Sequence, residues 1–572
     1  MHNQVIAPRR IRHTGRTPLF GALQRALRIA VQTSRTNGPS VDELIEARHA
    51  AANVSRRDFL KTASVAALAA GTGALWTSCA TADKFSGPNA PRVVIVGAGM
   101  AGLNAGYRLR RAGLRAEIFE GSSRVGGRMF SGHDILAPGL TTELGGEFID
   151  TNHKEMRRLI SEFNLPTIDV KARSERDLIA EAYFFDGGLR SEKELIEAFL
   201  PVAPKIQADY DSTEEIVDFE HEGGAKELDN LSLAQYLDRI GATGWLRELL
   251  EVAFVTEYGM DADEQSSLNM LFMISTETKD GVALLGESDE RFKVLGGNDR
   301  ITTELATRLA GQIQTGQRLV RVKSKGEGFV LSFDVATSSP REVEADFVIL
   351  TVPFTLLREV ELQVELPEVK RKAIAELGYG NCAKVMAGFN TRVWRENGYA
   401  GNVYSDEPFQ LAWDNSRQQP SPHGGITFYS GGKAALETNA GSPEEQVKRL
   451  LPGLDQAFGQ TLAGALKKHF GVQFAADVKF ITLKEAYNGK TARFHWPTYP
   501  WTKSAYASYK AGQWTTIAGA EGRPVGNLYF AGEHCSYDFQ GFMNGAAETG
   551  RQAALDILAA LKKQRVPYAR TA

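Results

Sequence analysis

The residues of this chain best suited to chemistry begin where a short β-branched run, Val93-Val94-Ile95-Val96, breaks into Gly97-Ala98-Gly99-Met100-Ala101-Gly102. In such a pattern the first glycine permits a tight turn and the second lets backbone approach a pyrophosphate. The third lets a helix lie close to a strand. Helical spacing runs from Ala101 to Ala112, Gly113 stops it, and Ala116 to Phe119 is a second apolar strand closed by Glu120. Glu120 stands 21 positions after Gly99, where a carboxylate can accept hydrogen bonds from an adenosine ribose. A glycine triplet alone is equally an ordinary turn; strand, helix, second strand and terminal Glu in register select a dinucleotide site.

The next glycines choose the dinucleotide. Gly121 to Arg128 reads GSSRVGGR, and Glu143 to Asp150 reads ELGGEFID. Both stretches resemble segments of the flavin-containing amine oxidase family, which includes monoamine oxidases, polyamine oxidases and L-amino-acid oxidases. The resemblance implies FAD, with Gly121, Gly127, Gly145, Gly146, Glu147 and Phe148 at the cofactor. Physically, Gly126-Gly127 brings backbone close to a ligand, and Arg124 and Arg128 can offer positive charge to phosphates. The implied fold class is α/β: a Rossmann-like FAD-binding domain of discontinuous segments plus an α+β substrate-binding domain.

Further matches extend the resemblance from about Arg92 to Leu561. Lys384, in Tyr379-Gly380-Asn381-Cys382-Ala383-Lys384, corresponds to the family lysine that holds a water at flavin N5; by itself it reads as a strand-end surface charge. Leu319 falls where the family lays an apolar residue against adenine, and it is equally a core leucine. Tyr506 matches one wall of the aromatic pair around the substrate amine, and Phe542 the other. Ala505 stands where monoamine oxidases carry a flavin-linking cysteine, so FAD is expected to be noncovalent. In Phe530-Ala531-Gly532-Glu533, the resemblance places Gly532 and Glu533 near the ribityl-phosphate region. Gly541, Phe542 and Met543 open a helix whose positive end would face the flavin pyrimidine ring.

These residues must be positioned by elements spread over the whole chain. We expect residues 91–153, 286–360 and 505–562 to form the FAD-binding domain, and 154–285 and 361–504 the substrate-binding domain. Residues 1–90 would be an N-terminal extension with its signal, and 563–572 a tail. Residues 154–285 read as mostly helical, with candidates at Met156–Phe163, Glu192–Phe199, Ser232–Ile240 and Trp245–Phe254. Asp209 to Glu222 is rich in carboxylates, which reads as a solvated surface rather than an entrance that draws amines. Arg318 to Val322 and Gly328 to Phe333 read as a hairpin, and Asp346 to Thr351 as an apolar strand. Helices are expected at Pro443–Phe458 and Leu462–Phe470, and the aromatic, proline-rich stretch 493–501 cannot be a regular helix.

The chain has 572 residues, 43% apolar and 24% charged, enough for more than one domain. Residues 1–61 carry a formal +7 and the remainder −10, which argues against a nucleic-acid partner. Ser55-Arg56-Arg57-Asp58-Phe59-Leu60-Lys61 is a twin-arginine pattern, followed by a mildly apolar run to Trp76 and an Ala80-Thr81-Ala82 cleavage motif. Export by the twin-arginine machinery, which carries folded proteins, to a bacterial periplasm is therefore expected. Ahead of it, Phe20 to Val31 has the pattern of a basic amphipathic helix. Three cysteines make no disulfide framework, and Cys382 and Cys535 read as buried, unbridged thiols. No metal-ligand spacing occurs.

The resemblance implies oxidation of a neutral amine held between Tyr506 and Phe542, with hydride transfer to flavin, reoxidation by O2 and release of H2O2. L-Amino-acid oxidases need a cation for the α-carboxylate just after the LGG segment, where this chain has Glu147 and Phe148; an arginine from 370–500 would be the substitute. Amine oxidation is thus the leading expectation and L-amino-acid oxidation the alternative. A flavin dehydrogenase or desaturase that bypasses O2, and a noncatalytic flavoprotein, are the readings from other classes.

Overall fold

The computed structural model describes residues 18–35, 38–48, 90–214, 216–274, 288–335, 339–470 and 482–564. The twin-arginine pattern, the cleavage motif, Cys79 and the C-terminal tail lie outside them.

The βαβ unit forms as its residues dictate. Val93–Val96 is fully buried at the centre of a five-stranded parallel sheet, with Phe347–Leu350 on one side and Ala116–Phe119 on the other. Leu528–Phe530 and Ile313–Gln314 complete the two edges. A strand buried on both faces reads as a continuous apolar run, which is what VVIV and FVIL are. The helix Met100–Arg111 covers one face, and Met543–Gln564 crosses it. This crossing needs glycine: a Cβ on Gly550 would stand 2.1 Å from the carbonyl oxygen of Ala101.

Two larger sheets accompany it, beside two of two strands each. A four-stranded sheet contains the Gln317–Lys325 and Gly328–Val335 hairpin, which pairs antiparallel as expected, with a bulge between Leu319 and Arg321. A seven-stranded sheet runs in the order Tyr487–His495, Cys382–Phe389, Gly424–Gly431, Leu411–Asp414, Tyr399–Ser405, Ile179–Phe185 and Gly188–Leu189. The helices include Lys154–Glu162, Glu192–Phe199, Leu233–Ile240 and Gly244–Tyr258, close to the expected positions.

The described part of 154–285 is mostly helical, and it also holds a strand, Ile179–Phe185, that pairs in parallel with Tyr399–Ser405, a partner more than 200 residues away that no local pattern reveals. The described carboxylates of the acidic run are half-exposed or exposed, as a solvated surface is, and the run begins in the helix Ala203–Asp211. Two local expectations change, one for a helix and one for a cysteine. The two helices expected after Pro443 are one, Pro443–Phe470, since a single glycine such as Gly459 weakens a helix by only about 1 kcal/mol. Neither Cys382 nor Cys535 forms a disulfide, and Cys535 is only half-buried because it sits at the rim of the core.

Gly550→Ala is expected to force the two helices apart and destabilise the protein by about 1–3 kcal/mol. An unchanged urea midpoint would show that the helices separate at no expense.

Candidate functional site

The fingerprint loop is shaped by contacts that exclude side chains. Gly97 has φ +104°, and a Cβ there would meet Thr351 Oγ1 at 2.4 Å; a Cβ on Gly102 would meet Gly97 O at 2.0 Å. Gly126 N–H donates to Ala98 O at 2.9 Å, which brings the second glycine loop onto the first. A Cβ on Gly127 would stand only 3.2 Å from Gly99 Cα. The first intrahelical bond runs from Leu103 N–H to Gly99 O, so Met100 and Ala101 precede it at the positive end of the helix dipole. Glu120 is held in place: its two carboxylate oxygens accept from Ala98 N–H at 2.7 Å and Ser122 N–H at 2.8 Å.

One cavity of about 550 Å³ runs from this loop to an aromatic chamber. Among the residues singled out from the sequence, Gly97, Gly99, Met100, Ala101, Glu120, Gly121, Gly127, Arg128, Gly145, Gly146, Glu147, Phe148 and Leu319 line it. So do Lys384, Tyr506, Gly532, Glu533, Gly541, Phe542 and Met543. Ala98, Gly102 and Arg124 do not line it. Ala98 is fully buried with its N–H on Glu120, and Gly102 packs on Gly97. Arg124 turns into its own loop, donating to Gly127 O at 2.6 Å and lying 4.0 Å over the Phe130 ring. Gly121 has a further reason to lack a side chain, because the Trp501 ring lies 2.4 Å from where its Cβ would be.

Arg128 holds Glu533 at 2.6 Å and Ala505 O at 2.8 Å. Glu533 in turn accepts from Gly541 N–H at 2.8 Å, tying the end of the Leu528–Phe530 strand to the start of the C-terminal helix. Met543 opens that helix and its sulfur lies 2.8 Å from where a Gly146 Cβ would stand.

At the other end of the cavity lies a buried charge cluster only half visible in the sequence. Lys384, on the Cys382–Phe389 strand, donates at 2.9 Å to Glu143 O, Gly145 O and Glu147 Oε2. Lys293, from Phe292–Val294, donates to Glu147 Oε1 at 2.9 Å and Asn415 O at 3.0 Å. Burial alone would raise the Glu147 carboxyl, but the two ammonium groups hold it at about 2. Burial pushes nearby Glu143 up to about 7, against the pull of Lys293 and of hydrogen bonds from Ser131 and Asn298. Lys293 escaped the sequence reading; a lysine between Phe292 and Val294 in a strand pattern was its one signal.

Aromatic rings close the chamber. The Tyr506 hydroxyl shares a 2.8 Å hydrogen bond with that of Tyr429 and receives a 3.2 Å bond from Cys382 Sγ. Trp413 packs against Tyr429 at 5.5 Å and against Phe148 at 6.2 Å, with Lys384 Nζ 5.3 Å from its centroid. Phe542 meets the buried His153 ring edge-on at 5.1 Å, and burial lowers that imidazole to about 3. Trp413, Tyr429 and Tyr404 line the cavity but were not singled out, since rings on a strand pattern read equally as core.

Glu147→Gln leaves two buried ammonium groups without their carboxylate and is expected to destabilise by about 3–5 kcal/mol at neutral pH. Because the folded carboxyl lies at about 2 against 4.5 unperturbed, its contribution is complete above pH 4.5 and disappears as pH falls through 2. The stability gap between parent and variant should close over that window; a gap independent of pH would remove the charge explanation.

The match to a sequence model for flavin containing amine oxidoreductases covers residues 100–558, and residues 53–73 match the twin-arginine translocation signal. AofH of Mycobacterium tuberculosis is 27% identical over 82% of this chain and 97% of its own length. The L-amino acid dehydrogenase of a Synechocystis strain is 23% identical over 82% and 95%. Among solved structures, a putrescine oxidase bound to putrescine superposes with TM-score 0.65 at 21% identity, over 82% of this chain and 99% of that one. Cyclohexylamine oxidase from Brevibacterium oxydans gives 0.67 at 20%, with the same coverage. These likenesses agree in a two-domain fold with a parallel-sheet flavin-binding half. The chain carries a twin-arginine export signal and belongs to the flavin-containing amine oxidoreductase family.

Proposed function

We propose that the protein is a periplasmic FAD-dependent oxidase. It would convert a primary or secondary amine to an imine that hydrolyses to a carbonyl product and ammonia or amine, with O2 as acceptor and H2O2 as by-product. We assign the flavin-binding half to 91–153, 286–360 and 505–562, and the substrate half to 154–285 and 361–504.

The observation that carries the amine reading is the charge inventory of the cavity. Among the described residues, each cation that lines it already holds a carboxylate: Arg128 with Glu533, Arg318 with Asp334, Lys384 with Glu147 and Lys503 with Glu359. Asp150, Glu257 and Glu290 also line it. Burial, then the charges of Asp150, Glu257 and Glu147, drive the Glu290 carboxyl well above its usual range. Asp150 is likewise pushed to about 7 by burial, with Asp289 adding to it. A substrate α-carboxylate entering this chamber would meet acids and engaged cations, whereas an amine meets groups that relax in its presence.

The glycine loops, the helix end at Met100 and the ribose-side Glu120 fit an FAD held by backbone contacts. Ala505, in place of a cysteine, supports noncovalent binding. Bound flavin would supply the acceptor for the substrate's α-C–H electrons and their passage to O2. The chain's residues position and shield. Tyr506, fixed through its hydroxyl to Tyr429, and Phe542, wedged on His153, would flank the amine and exclude water. Lys384 presents a fixed positive charge where negative charge develops. No general base is required of the protein when the amine enters neutral.

A peroxide-coupled screen of monoamines, polyamines and L-amino acids is expected to score with amines. Turnover of amino acids alone would install the L-amino-acid oxidase reading, and anaerobic bleaching without peroxide in air the dehydrogenase reading. Lys384→Met is expected to slow reoxidation by O2 at least about tenfold more than anaerobic flavin reduction; equal effects in stopped flow would remove its assigned role.

A further inference from the structure

The helix Pro18–Thr33 stands ahead of the 53–73 export signal, where a disposable leader is expected, yet it is built into the main core. Leu19, Leu23, Leu27 and Ala30 are fully buried. Among the described side chains of the helix, only the stripe Ala22, Arg25, Arg28 and Gln32, with the terminal Thr33, is half-exposed. An amphipathic surface helix shows a single apolar stripe; this one is covered on most of its circumference. It lies on the helices Glu192–Phe199 and Ala203–Asp211, sets Phe20 edge-on to Phe254 at 5.1 Å, and donates from Gln24 to Met273 O. The chain that follows adds two polar clamps on the same helix. Lys193 Nζ reaches both Asp42 oxygens at 2.7 and 2.8 Å, and Arg48 Nη2 donates to Glu192 Oε2 at 2.9 Å.

Two short routes lead from this segment to the cavity wall. Phe254 is in the same helix as Thr256 and Glu257, both lining residues. Arg25 opposes the burial that raises the Glu181 carboxyl, Glu181 accepts from the Tyr183 hydroxyl, and Tyr183 stacks on the lining residue Tyr404 at 5.9 Å. Removing the segment would bare the apolar side chains beneath it as a contiguous patch of a kind soluble proteins seldom leave open.

We propose that residues 18–48 are a permanent part of the exported enzyme: they dock on the substrate-side helices before export and stay there, whether or not the chain is later cut between them and residue 90. The occupant of this apolar face is therefore the protein's own N-terminal segment, carried across with the folded body.

The test is made on flavoprotein recovered from the exported fraction of cells that express the full chain. Purified under native conditions and then analysed by denaturing mass spectrometry, it should contain peptides of 18–48 in one-to-one ratio with the body, in the same chain or as a companion chain. Exported flavoprotein without them overturns the proposal. Leu23→Asp with Leu27→Asp in the full chain should lower Tm by about 5 °C and raise binding of a hydrophobic dye while the flavin absorbance is kept. Parent-like melting and dye binding overturn it. Should that variant fail to fold, Leu27→Ala should give the same two changes with a Tm shift of about 2 °C, and no shift overturns the proposal equally.

Discussion

The arrangement around the cavity depends on one buried carboxylate. Glu147 receives Lys384 on one oxygen and Lys293 on the other, and so joins three pieces of chain that local sequence leaves apart: the LGG segment, the strand at 292–294 and the long strand at 382–389. Two ammonium groups in an apolar interior cannot stay charged without such a partner. Glu147 is thus both the anchor of Lys384 and the reason that lysine stays fixed in direction, with two backbone carbonyls taking its remaining hydrogens.

At the opposite end, backbone takes over from charge. Glycines at 97, 102 and 126 let two loops and a helix end approach to distances that a methyl group would forbid, and Gly127 lies close against Gly99. What results is a polar, side-chain-free cradle that opens into a chamber walled by Phe148, Trp413, Tyr429 and Tyr506. The two ends offer opposite chemistry, backbone N–H groups at one and apolar rings at the other, along one continuous cavity. Arg128 and Glu533 bridge the middle: as a close ion pair with little exposure, they hold the segment before Tyr506 and the start of the C-terminal helix together.

The chamber also gathers charged side chains from several parts of the chain. Among the described residues its cations are engaged, and burial raises the carboxyls of Asp150 and Glu290 above their usual range. With Glu257 beside them, these acids come from the loop after the LGG segment, the end of Gly244–Tyr258 and the approach to Phe292–Val294. They form a group only because the substrate-side helices and the flavin-side loops close on each other.

Sequence alone determined whatever depends on local spacing. The fingerprint, its helix and Glu120 were legible because a tight turn, a close approach and a helix start each require particular residues at fixed offsets. The hairpin after residue 317 and the apolar strands were legible from alternation and burial pattern. Tertiary structure alone decided what depends on distant partners. Lys293 became a member of the site only when its strand met Glu147, and Arg124, indistinguishable from Arg128 in the motif, turned away into its own loop. Ile179–Phe185 became a sheet strand only by pairing with Tyr399–Ser405. The helix at 18–33 changed from an amphipathic pattern to a core element for the same reason: burial is a property of the surface a segment finds, and no spacing within the segment records which surface that is.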